Sequence, residues 1–188
     1  MIQAGERQRI RSLLLILAAM LSAITIGSGI APASAHACAN VRSAATSVSS
    51  SQVRSAVRCL VNAQRAAHGM RPMRASADLR RAAHKHAVDM VRRRYFDHVS
   101  PEGGTMAQRV KRTGYLSGAR RWALGEDIGW AGGGSASAAG IVDAWMKSPG
   151  HRAVILDRRF HEVGLGVASG VPNGGSGATF VLDAGMAR

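Results

Sequence analysis

A chain of 188 residues is long enough for one domain with an appendage, and its formal net charge of +14 suits an anionic partner. Aromatic residues make up only 4% of it, which argues against nucleic acid held by base stacking. The two cysteines, Cys38 and Cys59, lack C-x-x-C spacing, which argues against catalytic or zinc-binding sulfur.

Arg7, Arg9 and Arg11 precede the apolar run from Leu13 to Ile26, and Ala33-Ser34-Ala35 supplies an A-x-A cleavage motif. Residues 1–35 therefore read as a secretory signal peptide, with a retained membrane anchor as the alternative if the segment stays uncut. Cleavage removes three arginines and Glu6, a net change of two, and the exported part stays strongly basic. Export turns that charge toward an anionic cell-envelope polymer or lipid rather than nucleic acid, and toward a secreted or wall-associated location. In an oxidising compartment Cys38 and Cys59 read as a disulfide. It would pin an Ala/Ser/Thr-rich tail, residues 36–52, to a single domain over residues 53–188.

Val53, Val57, Leu60 and Val61 recur at helical spacing from about Ser51, and Gly69 ends that helix. Ser76 caps a second helix, running to about Arg94, whose stripe is Leu79, Ala83, His86 and Met90. Thr105-x-x-Gln108 is a capping box for a short third helix that stops at Gly114. A fourth starts near Ser135 to Ser137, buries Ile141, Val142 and Trp145, and is broken by Pro149. Period-two alternation marks strands around Trp122, Leu124, Ile128 and Trp130, then Val163, Leu165 and Val167, then Phe180 and Leu182. Gly170 to Gly177 reads as a glycine-rich hairpin loop between the last two. Helices first and strands last predict an α+β domain in which helices cover an antiparallel sheet.

Several chemical motifs fail. His84 and His86 diverge on a helix, and His86 reads as a core histidine. His68 suits a helix C-terminus, and His36 the new N-terminus. The glycines after residue 163 miss G-x-G-x-x-G, and no serine sits in a nucleophile elbow. Four polar residues interrupt structure instead: His98 in "YFDHVSPEG", Glu126 among apolar strand residues, His151 behind Pro149-Gly150, and Glu162 at a strand start. Arg152 is a salt-bridge partner for Glu162, and Asp97 a loop-fixing neighbour for His98. Converging on one cleft, the four would form a ligand-binding site, or bind a divalent ion such as zinc through His98 and His151. As an enzyme, His98 and Glu126 would be the acid–base pair. A lone carboxylate on an apolar face is costly unless paired, which singles out Glu126.

The segments "CLVNAQRAAHGMRPM", "AAHKHAVDMVRRRYFDHVSPEGGT", "RVKRTGY", "GEDIGWA", "AWMKSPGHRAVIL" and "EVGLGVASG" resemble, in order and spacing, the bacterial branch of the CAP superfamily. That is the family of SCP domains, cysteine-rich secretory proteins, antigen 5 and pathogenesis-related 1 proteins. The resemblance implies a three-layer α-β-α sandwich with a central antiparallel sheet, a cleft, and export. It implies a tetrad of two histidines and two glutamates that holds zinc or another divalent ion in some members. His98 matches the first histidine and Glu126 the first glutamate. His151 resembles the bacterial branch's substitute histidine, and Glu162 falls where many relatives carry glutamate. Asp127 stands where the family's G-E-N motif has asparagine, and Val154 where the bacterial pattern has asparagine after H-R-A.

Three functions follow. The first is an extracellular or envelope binding module for an ion, a small hydrophobic ligand, a lipid or an envelope polymer. The second is a hydrolase acting on cell-wall or peptide substrates through His98 and Glu126, with or without zinc. The third is a structural wall protein held by charge. The sequence leaves ligand identity and oligomeric state open.

Overall fold

The computed structural model describes residues 38–188; the proposed signal peptide and His36 lie outside the described residues. Helix α1, Ser50–Ala67, begins in a capping box between Ser49 and Gln52. Its inner stripe is Val53, Ala56, Val57 and Val61. A two-residue strand β1, Arg74–Ala75, leads to α2, Ala77–Arg93, capped by Ser76 and ended by Arg94 in the left-handed conformation. Helix α3, Met106–Arg112, starts at the Thr105/Gln108 capping box, and β2 spans Trp122–Gly132. Helices α4, Ala138–Lys147, and α5, Pro149–Ile155, are followed by β3, Glu162–Ser169, and β4, Gly177–Ala187.

The sheet runs β1-β3-β4-β2, antiparallel except for the parallel β1/β3 pair. Strand parity divides the sheet's two faces. Val163, Leu165 and Val167 of β3, with Phe180 and Leu182 of β4, pack against α1 and α4 in the larger apolar cluster. Ile128, Ala168 and Val181 point the other way, onto Ala83, Ala87 and Met90 of α2. The result is an α-β-α sandwich, with α1, α4 and α5 on one face and α2 with α3 on the other.

Two glycines set the second interface. A Cβ at Gly164 would lie 2.1 Å from the Arg80 nitrogen, and one at Gly166 would lie 2.3 Å from the Ala83 carbonyl carbon. Only glycine lets the backbone of α2 lie directly on β3.

Several expectations change. Pro149 does stop α4, but it also occupies the first turn of α5, where its missing N–H costs nothing. His151 therefore sits on a helix rather than behind a Pro-Gly turn. The expected disulfide between Cys38 and Cys59 is formed, and residues 38–49 are held by more than that bond: Ala44 bridges to Ser137, and Val41, Ala45 and Val48 pack on the core. Trp122 and Trp130, expected on the apolar face, are exposed near the ends of β2.

Arg65, invisible to pattern reading, is buried and donates to the carbonyls of Arg71, Ile155, Asp157 and Phe160. These bonds tie the end of α1 to the loop before β3 and satisfy carbonyls that the fold would otherwise strand. Among the described residues no helix is long and apolar enough to cross a membrane.

Candidate functional site

His98 lies in the loop between α2 and α3. Asp97 fixes that loop by accepting the Val99 N–H at 2.8 Å, and the His98 imidazole is free to reach across to β2. Below the loop, buried His86 donates from Nε2 to the Asp97 carbonyl at 3.0 Å. Burial holds the His86 pKa below its ordinary value, so it serves as a neutral strut.

The His98 Nδ1–H donates to Glu126 Oε1 at 2.8 Å. Glu126 Oε2 accepts from an Arg109 guanidinium nitrogen at 2.6 Å. The other terminal nitrogen of Arg109 donates to the carbonyls of His98 and Gly104, at 3.0 and 2.9 Å. One arginine thus clamps both the carboxylate and the backbone that carries the imidazole. The Glu126 side chain is 3% exposed and that of His98 52% exposed. A buried carboxylate therefore fixes an imidazole whose outer edge meets solvent.

Burial alone would raise Glu126, but the His98 hydrogen bond and the Arg109 charge outweigh it and hold the carboxylate below its usual range. The same hydrogen bond raises His98. His151, half-buried on α5, is lowered by burial and then by repulsion from His98. The two imidazoles are thus neighbours pushed in opposite directions, His98 toward the cation and His151 toward the neutral ring.

Asp183 completes the set. It pairs directly across from Glu126 in the β2/β4 register, is fully buried, and finds no hydrogen-bond partner at either carboxyl oxygen. Burial, then the Glu126 charge beside it, holds its pKa well above the usual carboxylate range. Neither Arg109 nor Asp183 was singled out from sequence. Asp183 carried the signal that marked Glu126, an acid inside an apolar strand, whereas Arg109 looked like any basic residue on a short helix.

Glu162 lies elsewhere. Its carboxylate accepts from the Tyr115 hydroxyl at 2.8 Å and lies 4.0 Å from Arg74. With β4 between β3 and β2, it is two strands removed from Glu126, roughly 10 Å at the spacing of a sheet. Arg152, its expected partner, instead meets His68 at 2.9 Å.

The expected zinc-class ion does not fit these residues. Both Glu126 oxygens are committed, one of them to a guanidinium whose charge would repel a cation. Among the described residues, no three of His, Cys, Asp and Glu stand close enough to share an ion.

A helix-sheet-helix sandwich with a carboxylate-braced histidine in the loop after α2 defines the class of protein. The Cysteine-rich secretory protein family model, CAP, matches residues 59–183, and the chain belongs to that family. It is 35% identical to the Bacillus subtilis (strain 168) protein YkwD over 136 residues, which are 72% of this chain and 49% of YkwD. The chain thus spans about half the length of that relative.

Among solved structures it resembles an extracellular SCP-domain protein from Bacillus anthracis str. Ames. The TM-score is 0.58 at 23% identity, covering 73% of this chain and 43% of that one. It also resembles an outer surface protein from Borrelia burgdorferi, with TM-score 0.58 at 17% identity over 70% of this chain and 90% of that one. At these identities the likeness is one of fold.

Proposed function

We propose that this is an exported binding module that holds an extracellular or cell-envelope ligand at the His98–Glu126–Arg109 centre. The observation that carries the reading is an exposed imidazole braced by a buried carboxylate, itself neutralised by Arg109. In that state His98 donates from Nε2 to a ligand oxygen, and neighbouring His151, kept neutral, accepts. Phe96 and Val99, exposed on either side of His98, add apolar contact, the mixture usual in ligand sites. Export rests on the Ala33-Ser34-Ala35 motif behind the apolar run. It agrees with relatives described as extracellular or outer-surface proteins.

A carboxylate-oriented imidazole is also the arrangement of a general base, which gives a hydrolase reading acting through water. Among the described residues no serine or threonine hydroxyl bonds to His98, and both cysteines are in the disulfide, so no nucleophile is in place. Binding to isolated cell-wall sacculi at about 0.5 M salt, where charges are screened within ~4 Å, separates the readings. Wild type is expected to be retained and to release no soluble fragments, with His98→Ala and Glu126→Gln retained at least about tenfold less, a loss of about 1.4 kcal/mol. Equal retention of all three sinks the site. Fragment release by wild type alone establishes the hydrolase instead.

A further inference from the structure

A second hollow in the described domain lies beside the His98 centre rather than at it. It is a groove of about 720 Å³ between α2, α3 and the loop over residues 100–104. Arg81, Lys85 and Arg92 line one wall, and Arg109 and Arg112 the other. On α2 these positions share one side of the helix, with a rise of about 6 Å from Arg81 to Lys85 and about 10 Å from Lys85 to Arg92, at about 1.5 Å per residue. Small residues, Ala82, Gly103 and Gly104, also line it.

The two carboxylates in the lining offset only part of this charge. Asp89 is engaged by Arg92, Arg93 and the Tyr95 hydroxyl, and Glu102 by Arg93. Arg81 pairs with Asp78. Lys85 and Arg112 have no carboxylate partner among the described residues, and they belong to the two opposing helices. Like charges facing each other across a concave, partly dry surface repel, and they focus a positive field into the hollow. Arg109, whose side chain is 8% exposed, adds an Nε–H buried without a partner. Burying that donor is costly unless something completes its surroundings.

We infer that this groove binds a phosphodiester-linked polyol or sugar chain, threading its phosphates between the cations of α2 and α3. A flat anionic bilayer reaches the rim of a concave site and not its floor. A nucleic acid would look for exposed aromatic faces on which to stack, and the lining has no Phe, Tyr or Trp, while its one imidazole, His86, is buried. A slender chain without bases meets both limits. The Glu102 carboxylate, paired with Arg93 at the lip, holds a place that an incoming phosphate takes over. The groove shares Arg109 with the His98 centre, but the inference is tested apart from it, because Lys85, Arg112 and Glu102 make no hydrogen bond or ion pair with His98 or Glu126.

The test is fluorescence anisotropy with labelled poly(glycerol phosphate), between about 50 and 200 mM salt. The double substitution Lys85→Ser/Arg112→Ser, at two exposed positions, is expected to weaken binding at least about tenfold at the low-salt end. It should also flatten the log–log salt slope by about 1.4, two cations at about 0.7 each for a flexible single chain. Arg120→Ser/Arg121→Ser removes the same charge outside the groove and is expected to change affinity by less than about twofold. Glu102→Gln, which frees Arg93, is expected to tighten binding and does so whether or not the double variant folds. Equal losses from the two double variants overturn the inference, as does weaker or unchanged binding by Glu102→Gln. Tighter binding to phosphatidylglycerol vesicles or to an oligodeoxynucleotide at equal phosphate overturns it too.

Discussion

Asp127→Asn should make the protein more stable at neutral pH and leave it unchanged near pH 4. Asp127 is fully exposed to neither water nor partners: its accessibility is 0%, and neither carboxyl oxygen meets a hydrogen-bond partner. On β2 it shares a face with Gly125 and Gly129. Phe160 and Val154 crowd the first of these positions, and Ile141 and Trp145 the second. The acid is therefore sunk in the apolar layer.

Burial, helped by the charge on Glu126, lifts the Asp127 pKa from 3.8 to about 8. Below pH 3.8 both folded and unfolded chains hold the proton, and the full stability is present. As pH rises toward 8 the unfolded chain releases a proton that the folded one retains, so stability falls, and the loss is complete above the folded value. At about 1.4 kcal/mol per unit, the three units to pH 7 cost about 4 kcal/mol. Asparagine keeps the shape and never ionises. Urea unfolding of both proteins at about pH 4 and pH 7 should show midpoints together at the lower pH. At the higher they should separate by about 2 M, for a slope of ~2 kcal/mol/M. Asp183, raised in the same direction, is common to both chains and cancels. A gap that does not change with pH, or an Asn variant less stable at pH 7, refutes the reasoning.

The His98 imidazole should titrate above the ordinary histidine value by NMR, and Glu126→Gln should bring it down, because the hydrogen bond to Glu126 is the largest cause of the shift. Since the folded value is raised, the stability that this pair contributes is present at low pH and lost as pH rises through that value. A midpoint indifferent to Glu126→Gln contradicts the geometry. Cys38→Ser/Cys59→Ser opens a loop with a sequence separation of 21 residues. It should lower unfolding stability by about 3 kcal/mol and expose residues 38–49 to protease; an unchanged digestion pattern means that this segment is held without it. Gly166→Ala would drive a Cβ into the backbone of α2, so it should cost about 3 kcal/mol or more, or prevent folding, as read by thermal unfolding.

The α+β order, a cap or stop for each of α1 to α4, and the core stripe of α1 are legible because each is a local pattern: a capping residue, a period of 3.6, a glycine or proline stop. What was missed is not local. Strand β1 is two residues long and exists only because β3 runs beside it. Pro149 was read as a breaker because the residues alone do not distinguish the end of one helix from the first turn of the next. At the site, Glu126 stood out as an acid among apolar strand residues, and His98 by its context. Glu162 shares strand parity with the site face, yet parity does not fix distance across a sheet. Arg109 became visible only once the 98–104 loop and β2 were seen to meet over it.

One close approach governs both the braced histidine and the basic groove. Gly164 and Gly166 let α2 sit directly on β3, and that seating fixes the height of every side chain on the helix. It places His86 where its Nε2 can prop Asp97 and so aim His98. It also turns Arg81 and Lys85 toward α3 rather than toward the sheet. Side chains at residues 164 and 166 would lift α2 and disturb both places together, whereas changes to Lys85 or Arg112 reach the groove alone. Two sites that depend on one helix seat but differ in their own residues can be separated by mutation. If Gly166→Ala folds and leaves the His98 titration unmoved, the helix does not carry the site.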